Sequence, residues 1–271
     1  YFGLNNMNIP ESLSRTDWWY RCKFIVPKDI DGNQLRLLFN GINYKADIYL
    51  NGKSLGDMKG AYIRGEFNIT DLVNKNGENI LAVHVFPPYN PGIPHEQSMI
   101  AGQGLNGGVL STDGPTFISS IGWDWIPGIR DRNTGIWQDV RLKAGGDIII
   151  GDPLVTTDIL LPDTTQAKIS IKNIVKNITS KTVNGTLTAK IENINISLPF
   201  TLAANEEKEI TFTPEQFKEL NIKNPRLWWP NGYGRPELYN LELTVQANNK
   251  VSDTKSLKFG IREMSYELMV N

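Results

Sequence analysis

The chain has 271 residues, and its 28 basic and 29 acidic side chains leave a formal net charge of −1. Such a balance provides no basic field that would draw the chain to nucleic acid or to an anionic membrane. No stretch of the sequence approaches the ~20 apolar residues that a membrane span requires. A single cysteine excludes an internal disulfide framework, and with only two histidines it argues against a zinc site.

The composition favours β-structure with many turns. Hydrophobic residues make up 40% of the chain, aromatic residues 10%, and the sequence contains 24 glycines and 15 prolines. Aromatic and β-branched residues fit pleated strands, whereas glycine, proline and asparagine favour turns. The chain begins at Tyr1 and not at Met, so we expect an excised piece or a processed product of a longer protein.

The first half of the chain shows several runs in which apolar and polar residues alternate. Alternation with a period of two predicts strands with one buried face. Asn51-Gly52 follows one of these runs directly and is the strongest short hairpin signal, because both residues tolerate a positive φ. The predicted strands are residues 22–26, 34–39, 45–50 and 79–86, with a closing strand at 134–142.

A long segment without any period separates these runs. Residues 87–117 are rich in glycine and proline and contain His95. Irregular connections of this length are uncommon in compact domains, and those that exist are often binding or lid loops. We favour a binding loop over a flexible insertion. His95 could contact a ligand there, but a solvated loop histidine is the more common case.

Longer and cleaner alternating strands follow the Gly145-Gly146 pair. They are expected at 168–175, 186–192, 241–246 and 256–261, and one or two helical turns that begin with a capping box are expected at 213–220. About seven strands separated by turns are typical of a β-sandwich. The sequence therefore predicts an all-β protein with one domain at 1–145 and a second at 146–271.

The tripeptide Trp123-Asp124-Trp125 is the main candidate for a binding site. A tryptophan face can stack on the apolar face of a sugar ring, and a carboxylate can accept hydrogen bonds from two neighbouring hydroxyls. In a regular strand the two tryptophans would point away from Asp124, but the glycines and prolines around them favour an irregular backbone. The alternative is that the tryptophans are core anchors and that Asp124 caps a turn.

Two other motifs are weaker candidates. Residues 130–137 place Asp131, Asn133 and Gly135 in a pattern faintly like a calcium loop, but the later Glu ligand is missing and local ion pairing in a turn is favoured. Residues 227–234 combine two tryptophans with an Asn-Gly turn, for which we expect structural packing between domains. We expect no metal and no cofactor.

Several motifs taken in order resemble the front portion of glycoside hydrolase family 2. They are DWWYR at 17–21, FNGI at 39–42, ADIYLNG at 46–52, GIWQDV at 135–140, LWWPNGYG at 227–234 and FGIR at 259–262. The resemblance implies a jelly-roll (galactose-binding-like) sandwich followed by an immunoglobulin-like sandwich. In that family a TIM barrel follows and carries the two catalytic carboxylates, which are therefore expected to be missing here.

The resemblance also implies roles for particular residues. Asp124 matches the family's jelly-roll carboxylate that binds sugar hydroxyls, with Trp123 and Trp125 beside it, and Asn5 lies in a stretch similar to another contact region. The Trp-Asp-Trp form is closer to the β-mannosidase and exo-β-glucosaminidase branches than to typical β-galactosidases. The partners implied are a terminal β-linked sugar and the chain's own C-terminal barrel, and the compartment implied is periplasmic or secreted.

Three functional hypotheses follow from these patterns. The first is the non-catalytic, sugar-contacting front of a retaining exo-glycosidase. The second is a free-standing carbohydrate-binding module without hydrolase activity. The third is a structural or adhesive β-sandwich protein, in which Trp123-Asp124-Trp125 would be sealed inside.

Overall fold

A computed structural model describes residues 5, 8–30, 32–89, 93–94, 108–109 and 133–264. The chain divides into two compact units, Tyr1–Ala144 and Gly145–Asn271. The described residues form strands and short 3-10 helices, among them Glu11–Arg15 and Lys218–Leu220, and no α-helix occurs within these ranges. The prediction of an all-β protein is confirmed.

Unit 1 contains two main sheets. The strands are β1 (Trp18–Ile25), β2 (Gln34–Phe39), β3 (Ile42–Asn43), β4 (Lys45–Leu50), β5 (Lys53–Lys59), β6 (Gly65–Asn68), β7 (Glu78–Phe86), β8 (Ile93–Pro94), β9 (Gly108–Val109), β10 (Gly135–Ile136) and β11 (Val140–Gly145). One sheet has the order β1-β7-β4-β5 and the other the order β11-β2-β6, while β10 pairs with β3 and β8 with β9.

The core of unit 1 is formed by the apolar faces that the alternation predicted. The residues predicted to face inward on β2, β4 and β7 are all buried: Leu35, Leu37, Phe39, Ala46, Ile48, Leu50, Leu81, Val83 and Val85. The β4–β5 hairpin turns at Asn51 and Gly52, whose φ angles of 51° and 79° confirm the predicted turn. Two alternating strands joined by such a turn bury one face and leave the other polar.

A buried asparagine ties this hairpin to the loop before β7. Asn79 is fully buried, and its Oδ1 accepts hydrogen bonds from the Asn74 backbone N–H at 2.7 Å and from Asn51 Nδ2 at 2.9 Å. Its Nδ2 donates to the carbonyls of Asn74 and Gly77. The amide is therefore fully bonded, as a buried polar group must be to avoid a large desolvation cost.

The predicted closing strand at 134–142 is two strands, so that prediction is wrong in its extent. β10 pairs with β3 and β11 belongs to the β11-β2-β6 sheet. Between them the backbone N–H groups of Trp137 and Gln138 both approach the Gly41 carbonyl, and Asn40 donates to the Asp139 carbonyl. These bonds bend the chain from one strand partner to the next, which an alternating pattern alone does not reveal.

Unit 2 is a second pair of sheets. Its strands are β12 (Ile148–Ile150), β13 (Leu154–Asp158), β14 (Gln166–Asn177), β15 (Val183–Ile191), β16 (Ile194–Leu202), β17 (Glu207–Phe212), β18 (Asn221–Lys223), β19 (Tyr239–Ala247) and β20 (Lys250–Phe259). The β12-β14-β13 sheet is extended by β17 and β18, which also pair with β14, and faces the sheet β16-β15-β19-β20. The predicted inward residues are buried in one core: Ile169, Ile171, Val175, Leu187, Ala189, Ile191, Leu241, Leu243 and Val245.

The one or two helical turns predicted at 213–220 appear as a single turn followed by a short 3-10 helix. The Thr213 carbonyl accepts from the backbone N–H groups of Gln216 and Phe217, which closes a single turn. Phe217 then adopts an extended conformation with φ −128° and ψ 100°, and only the 3-10 helix Lys218–Leu220 follows. The extended backbone brings the Phe217 ring to 5.6 Å from that of Phe212, and Leu220 is fully buried. Burial of these two side chains outweighs the local capping signal.

We predict that Asn79→Ala lowers the free energy of unfolding of unit 1 by about 2–4 kcal/mol, because it removes a fully buried amide and its hydrogen bonds to Asn51, Asn74 and Gly77. Urea denaturation followed by intrinsic fluorescence measures the change. The matched control is Asn76→Ala on the same turn, where the side chain is exposed; it should stay within about 0.5 kcal/mol of the parent. Equal effects of the two substitutions would contradict this role of Asn79.

Candidate functional site

Of the residues of the predicted sugar site, the structure describes Asn5 and not the tripeptide. Trp123, Asp124 and Trp125 lie outside the described residues, as does His95. Asn5 is described and is an exposed residue in a 3-10 turn. After the tripeptide, the described residues begin at Asn133 in unit 1.

Asn133, the first described residue after the tripeptide, is bonded to a buried amide. Asn133 has a φ of 53°, and its carbonyl accepts a hydrogen bond from Asn43 Nδ2 at 3.0 Å. Asn43 is buried, and it is also the residue opposite Gly135 in the β3–β10 pair. A bond made away from water is strong, so the backbone eight residues after the tripeptide is held at a defined point.

Gly135 occupies a position that only glycine fits. Its φ of 143° lies in a region that side chains rarely adopt, and a methyl group there would lie 2.5 Å from the Tyr20 hydroxyl oxygen. The glycine of the GIWQDV motif and the tyrosine of the DWWYR motif are therefore in contact. This contact explains physically why the two motifs occur together.

Trp137 closes the same region against β3. A methyl group on Gly41 would lie 2.6 Å from Trp137 Nε1, so the indole packs directly on the backbone of Gly41. Trp137 Nε1 donates to the Ala61 carbonyl at 2.9 Å, and the ring of Tyr62 meets the indole edge-on at 5.8 Å. Tyr62 and Trp137 are both exposed and form an aromatic surface on unit 1. Such surfaces can stack on sugar rings.

An apolar recess of about 480 Å³ lies next to this region in unit 1. Its lining includes Tyr20, Cys22 and Phe24 of β1, together with Ile136 of β10 and Val140 of β11. Tyr20 thus contacts both the recess and Gly135. The recess, the aromatic pair Tyr62–Trp137 and the Asn43–Asn133 bond all lie within unit 1.

His84 lies on the outer face of the β1-β7-β4-β5 sheet, in a polar and aromatic cluster. Its Nε2 is 2.6 Å from Asp17 Oδ2, and the Trp19 ring stacks on it at 4.3 Å with an interplanar angle of 3°. The hydrogen bond with His84 lowers the pKa of the Asp17 carboxyl. These contacts favour a structural role for His84. Asp17 and Trp19 were not foreseen as its partners, because they follow from the register that pairs Trp19 with His84.

The calcium-like motif gains no support from the described residues. Asp131 lies outside them, and the Asn133 carbonyl already accepts the bond from Asn43. In the described part of the chain no three His, Cys, Asp or Glu side chains are grouped so that they could hold a metal ion. Likewise, no helix in that part is long and apolar enough to cross a membrane.

The tryptophan motif at 227–234 lies at one end of unit 2. The Trp228 N–H donates to the Ile261 carbonyl at 2.9 Å, and the Arg262 guanidinium lies over the Trp228 ring at 5.0 Å. The turn is closed by Gly232, with φ 86°, and by a bond from the Tyr233 N–H to the Pro230 carbonyl. The two family-like motifs of this unit, LWWPNGYG and FGIR, are thus in direct contact.

Comparison with known proteins gives two family matches in tandem. Residues 1–138 match the glycosyl hydrolase 2 galactose-binding domain-like family, and residues 149–262 match glycosyl hydrolases family 2. These are the two ranges in which the motifs in contact lie. The predicted fold class, a galactose-binding-like jelly-roll followed by an immunoglobulin-like sandwich, is confirmed.

Individual relatives agree with the family matches. The chain is 29% identical to an exo-beta-D-glucosaminidase of Streptomyces avermitilis, over 99% of this chain and 27% of the relative. It is 31% identical to a mannosylglycoprotein endo-beta-mannosidase of Lilium longiflorum, over 97% of this chain and 28% of that protein. The crystal structure of the Amycolatopsis orientalis exo-chitosanase superposes with a TM-score of 0.76 at 28% identity, and the match covers 97% of this chain and 27% of that structure.

These matches fix both the family and the part of it that the chain represents. The chain spans little more than a quarter of the length of these relatives. The part matched is their non-catalytic N-terminal portion. On the strength of the tandem matches and of the motif contacts that explain them, the chain belongs to glycoside hydrolase family 2.

Proposed function

We propose that the chain is the non-catalytic front portion of a retaining exo-glycosidase that degrades carbohydrate. In this proposal residues 1–145 are a jelly-roll sugar-binding domain and residues 146–271 an immunoglobulin-like domain. A TIM barrel elsewhere in the longer protein supplies the two carboxylates that cleave the glycosidic bond. The observation that carries the proposal is the pair of family matches at 1–138 and 149–262, in the order expected for such an enzyme.

The jelly-roll domain is proposed to help bind the terminal β-linked sugar. Asp124 would accept hydrogen bonds from two neighbouring hydroxyls, Trp123 and Trp125 would pack on the apolar face of the ring, and Asn5 would add a polar contact. Support comes from Asn133, nine residues beyond Asp124, whose carbonyl accepts a hydrogen bond from the buried Asn43 side chain. A fixed backbone so close in sequence limits where the tripeptide can lie.

Glucosamine and mannose are the sugars to test first. Named relatives comprise an exo-β-glucosaminidase, an exo-chitosanase and an endo-β-mannosidase. The same two branches are favoured by the Trp-Asp-Trp form of the motif. We also propose a secreted or periplasmic location for the parent enzyme, for which the family is the support.

A free-standing carbohydrate-binding module is the second candidate. The observation that favours it is the exposed aromatic pair of Tyr62 and Trp137 on unit 1, since such modules bind sugars on exposed aromatic rings. The two candidates differ in affinity. The front portion of an enzyme has only part of the pocket wall and should bind sugar weakly, whereas a module should bind its ligand in the low micromolar range by calorimetry.

We predict that the purified 271-residue chain does not hydrolyse nitrophenyl β-glucosaminide or β-mannoside, because a retaining enzyme needs two carboxylates about 5–5.5 Å apart across the scissile bond. Release of nitrophenol is measured against a buffer blank and against a full-length family member as the positive control. Turnover at enzymatic rates that survives repeated purification would contradict the assignment of the chain as non-catalytic.

We predict that Asp124→Ala, made in the full-length enzyme, lowers kcat/KM by more than about tenfold, because one carboxylate bonded to two sugar hydroxyls contributes at least ~1.4 kcal/mol. Steady-state kinetics on glucosaminide and mannoside substrates measure the change. Asp71→Ala is the matched control: Asp71 is an exposed carboxylate in a surface turn of the same unit. If Asp124→Ala leaves kcat/KM at the control value, Asp124 is not a sugar ligand.

A further inference from the structure

Unit 2 carries an apolar pocket of about 520 Å³ beside the tryptophan motif. We call it the Trp229 pocket. Its apolar walls include Ile159, Leu161, Trp228, Trp229 and Tyr233. A pocket of this size and composition is typical of a binding site and is not needed to complete the core of unit 2, which is already closed around its own buried residues.

The side chains around the Trp229 pocket are unusually exposed for their type. Trp229 is 45% exposed, Tyr233 80% and Leu161 54%, and the neighbouring Leu160 is also largely exposed. Scattered exposed apolar residues are ordinary, but here they converge on one concave surface. Apolar surface left in water costs about 25 cal/mol per Å², so a contiguous patch of this kind marks an interaction site.

The pocket is held in shape by bonds within unit 2. The Trp229 N–H donates to the Arg235 carbonyl at 3.1 Å, and Thr157 Oγ1 donates to the Arg262 carbonyl at 2.8 Å. Gly234 and Gly260 lie so close to the two indoles that a methyl group on either would approach them within 3 Å. A preformed pocket loses little conformational entropy when it is filled.

The polar groups at the rim favour polypeptide over sugar as the occupant. A sugar needs several side chains that can bond its hydroxyls. Here the Arg262 guanidinium lies on the Trp228 ring, and Glu263 Oε2 accepts from the Ile159 N–H at 3.4 Å. Thr164 and Tyr233 add one hydroxyl each, and the remaining walls are apolar. They match the apolar anchors that form the centre of protein interfaces.

The length of the relatives indicates which polypeptide this is. The chain matches only 27% of the exo-chitosanase structure and 28% of the lily mannosidase, so these proteins hold nearly three quarters of their residues elsewhere. In one covalent chain the effective concentration of a neighbouring domain is of millimolar order, and a modest interface is therefore enough for stable docking.

We propose that the Trp229 pocket is the docking surface for apolar side chains of the catalytic domain in the longer protein. The proposal rests on the proposed function, because it requires such a domain. Docking there would fix the orientation of the immunoglobulin-like domain and bury Trp229 and Tyr233. In this proposal the pocket joins two domains and does not bind sugar.

Hydroxyl-radical footprinting tests the proposal, because it reads the exposure of Trp, Tyr and Leu side chains directly. The samples are the 271-residue chain and the protein expressed from the complete reading frame. Trp229, Tyr233 and Leu161 should react readily in the short chain and about fivefold more slowly in the long one, as expected for interface burial. Leu154 is the internal control: it is 56% exposed but begins β13, about 17 Å along the strand from the pocket.

The outcomes distinguish a failure of the docking from a failure of the proposed function. A reading frame without a further domain would overturn both the proposed function and the docking. An active long protein whose Trp229 and Tyr233 stay as reactive as Leu154 would overturn the docking alone. Concentration-dependent protection of the short chain, or its protection by glucosamine or mannose disaccharides, would also overturn it, in favour of a second copy or of a sugar as occupant.

A pair of substitutions gives an independent readout. Tyr233→Ser removes the most exposed ring of the pocket, whereas Leu154→Ser removes a comparably exposed side chain outside it. In the short chain both variants should unfold at the parent temperature. In the long protein Tyr233→Ser should lower Tm by about 2–4 °C and Leu154→Ser should not. An equal shift for the two variants would contradict the docking.

Discussion

The position of the candidate sugar site depends above all on the contacts that hold the chain in unit 1 after the tripeptide. The Trp137 indole lies directly on the backbone of Gly41, and its Nε1 donates to the Ala61 carbonyl. Asn43 holds the Asn133 carbonyl four residues earlier. A ring packed on a glycine leaves little space for a slip in register, so this segment of unit 1 is held in one position. Any sugar contact made by Asp124 must be compatible with that position.

Much of the fold could be predicted because a sheet with one buried face has a period of two. The alternating residues of β2 and β4 are buried as expected, and Asn51-Gly52 makes its turn because both residues accept a positive φ. These signals are local and depend on neighbouring residues only. The family-like motifs gained a physical explanation once their contacts were visible, as with Gly135 under the Tyr20 hydroxyl.

The errors and omissions concern interactions between residues distant in sequence. The segment after Thr213 forms one turn and not a helix because Phe217 and Leu220 are drawn into the core. Arg36 stands between two inward leucines and is buried too, paired with Glu66 across the β2–β6 pair. For the candidate site, the sequence predicted the tripeptide, which lies outside the described residues, whereas the Asn43–Asn133 bond and the Tyr62–Trp137 pair depend on tertiary packing. Asp124 remains a prediction.

The central claim is that unit 1 contributes a sugar contact to a glycosidase whose chemistry resides in another domain. A crystal structure of the full-length protein with glucosamine or mannose bound at the catalytic centre tests it most directly. The account predicts a carboxylate oxygen of Asp124 about 2.6–3.2 Å from a hydroxyl of the terminal sugar, the range of a hydrogen bond. A bound sugar with no contact from Trp123, Asp124 or Trp125 would contradict it.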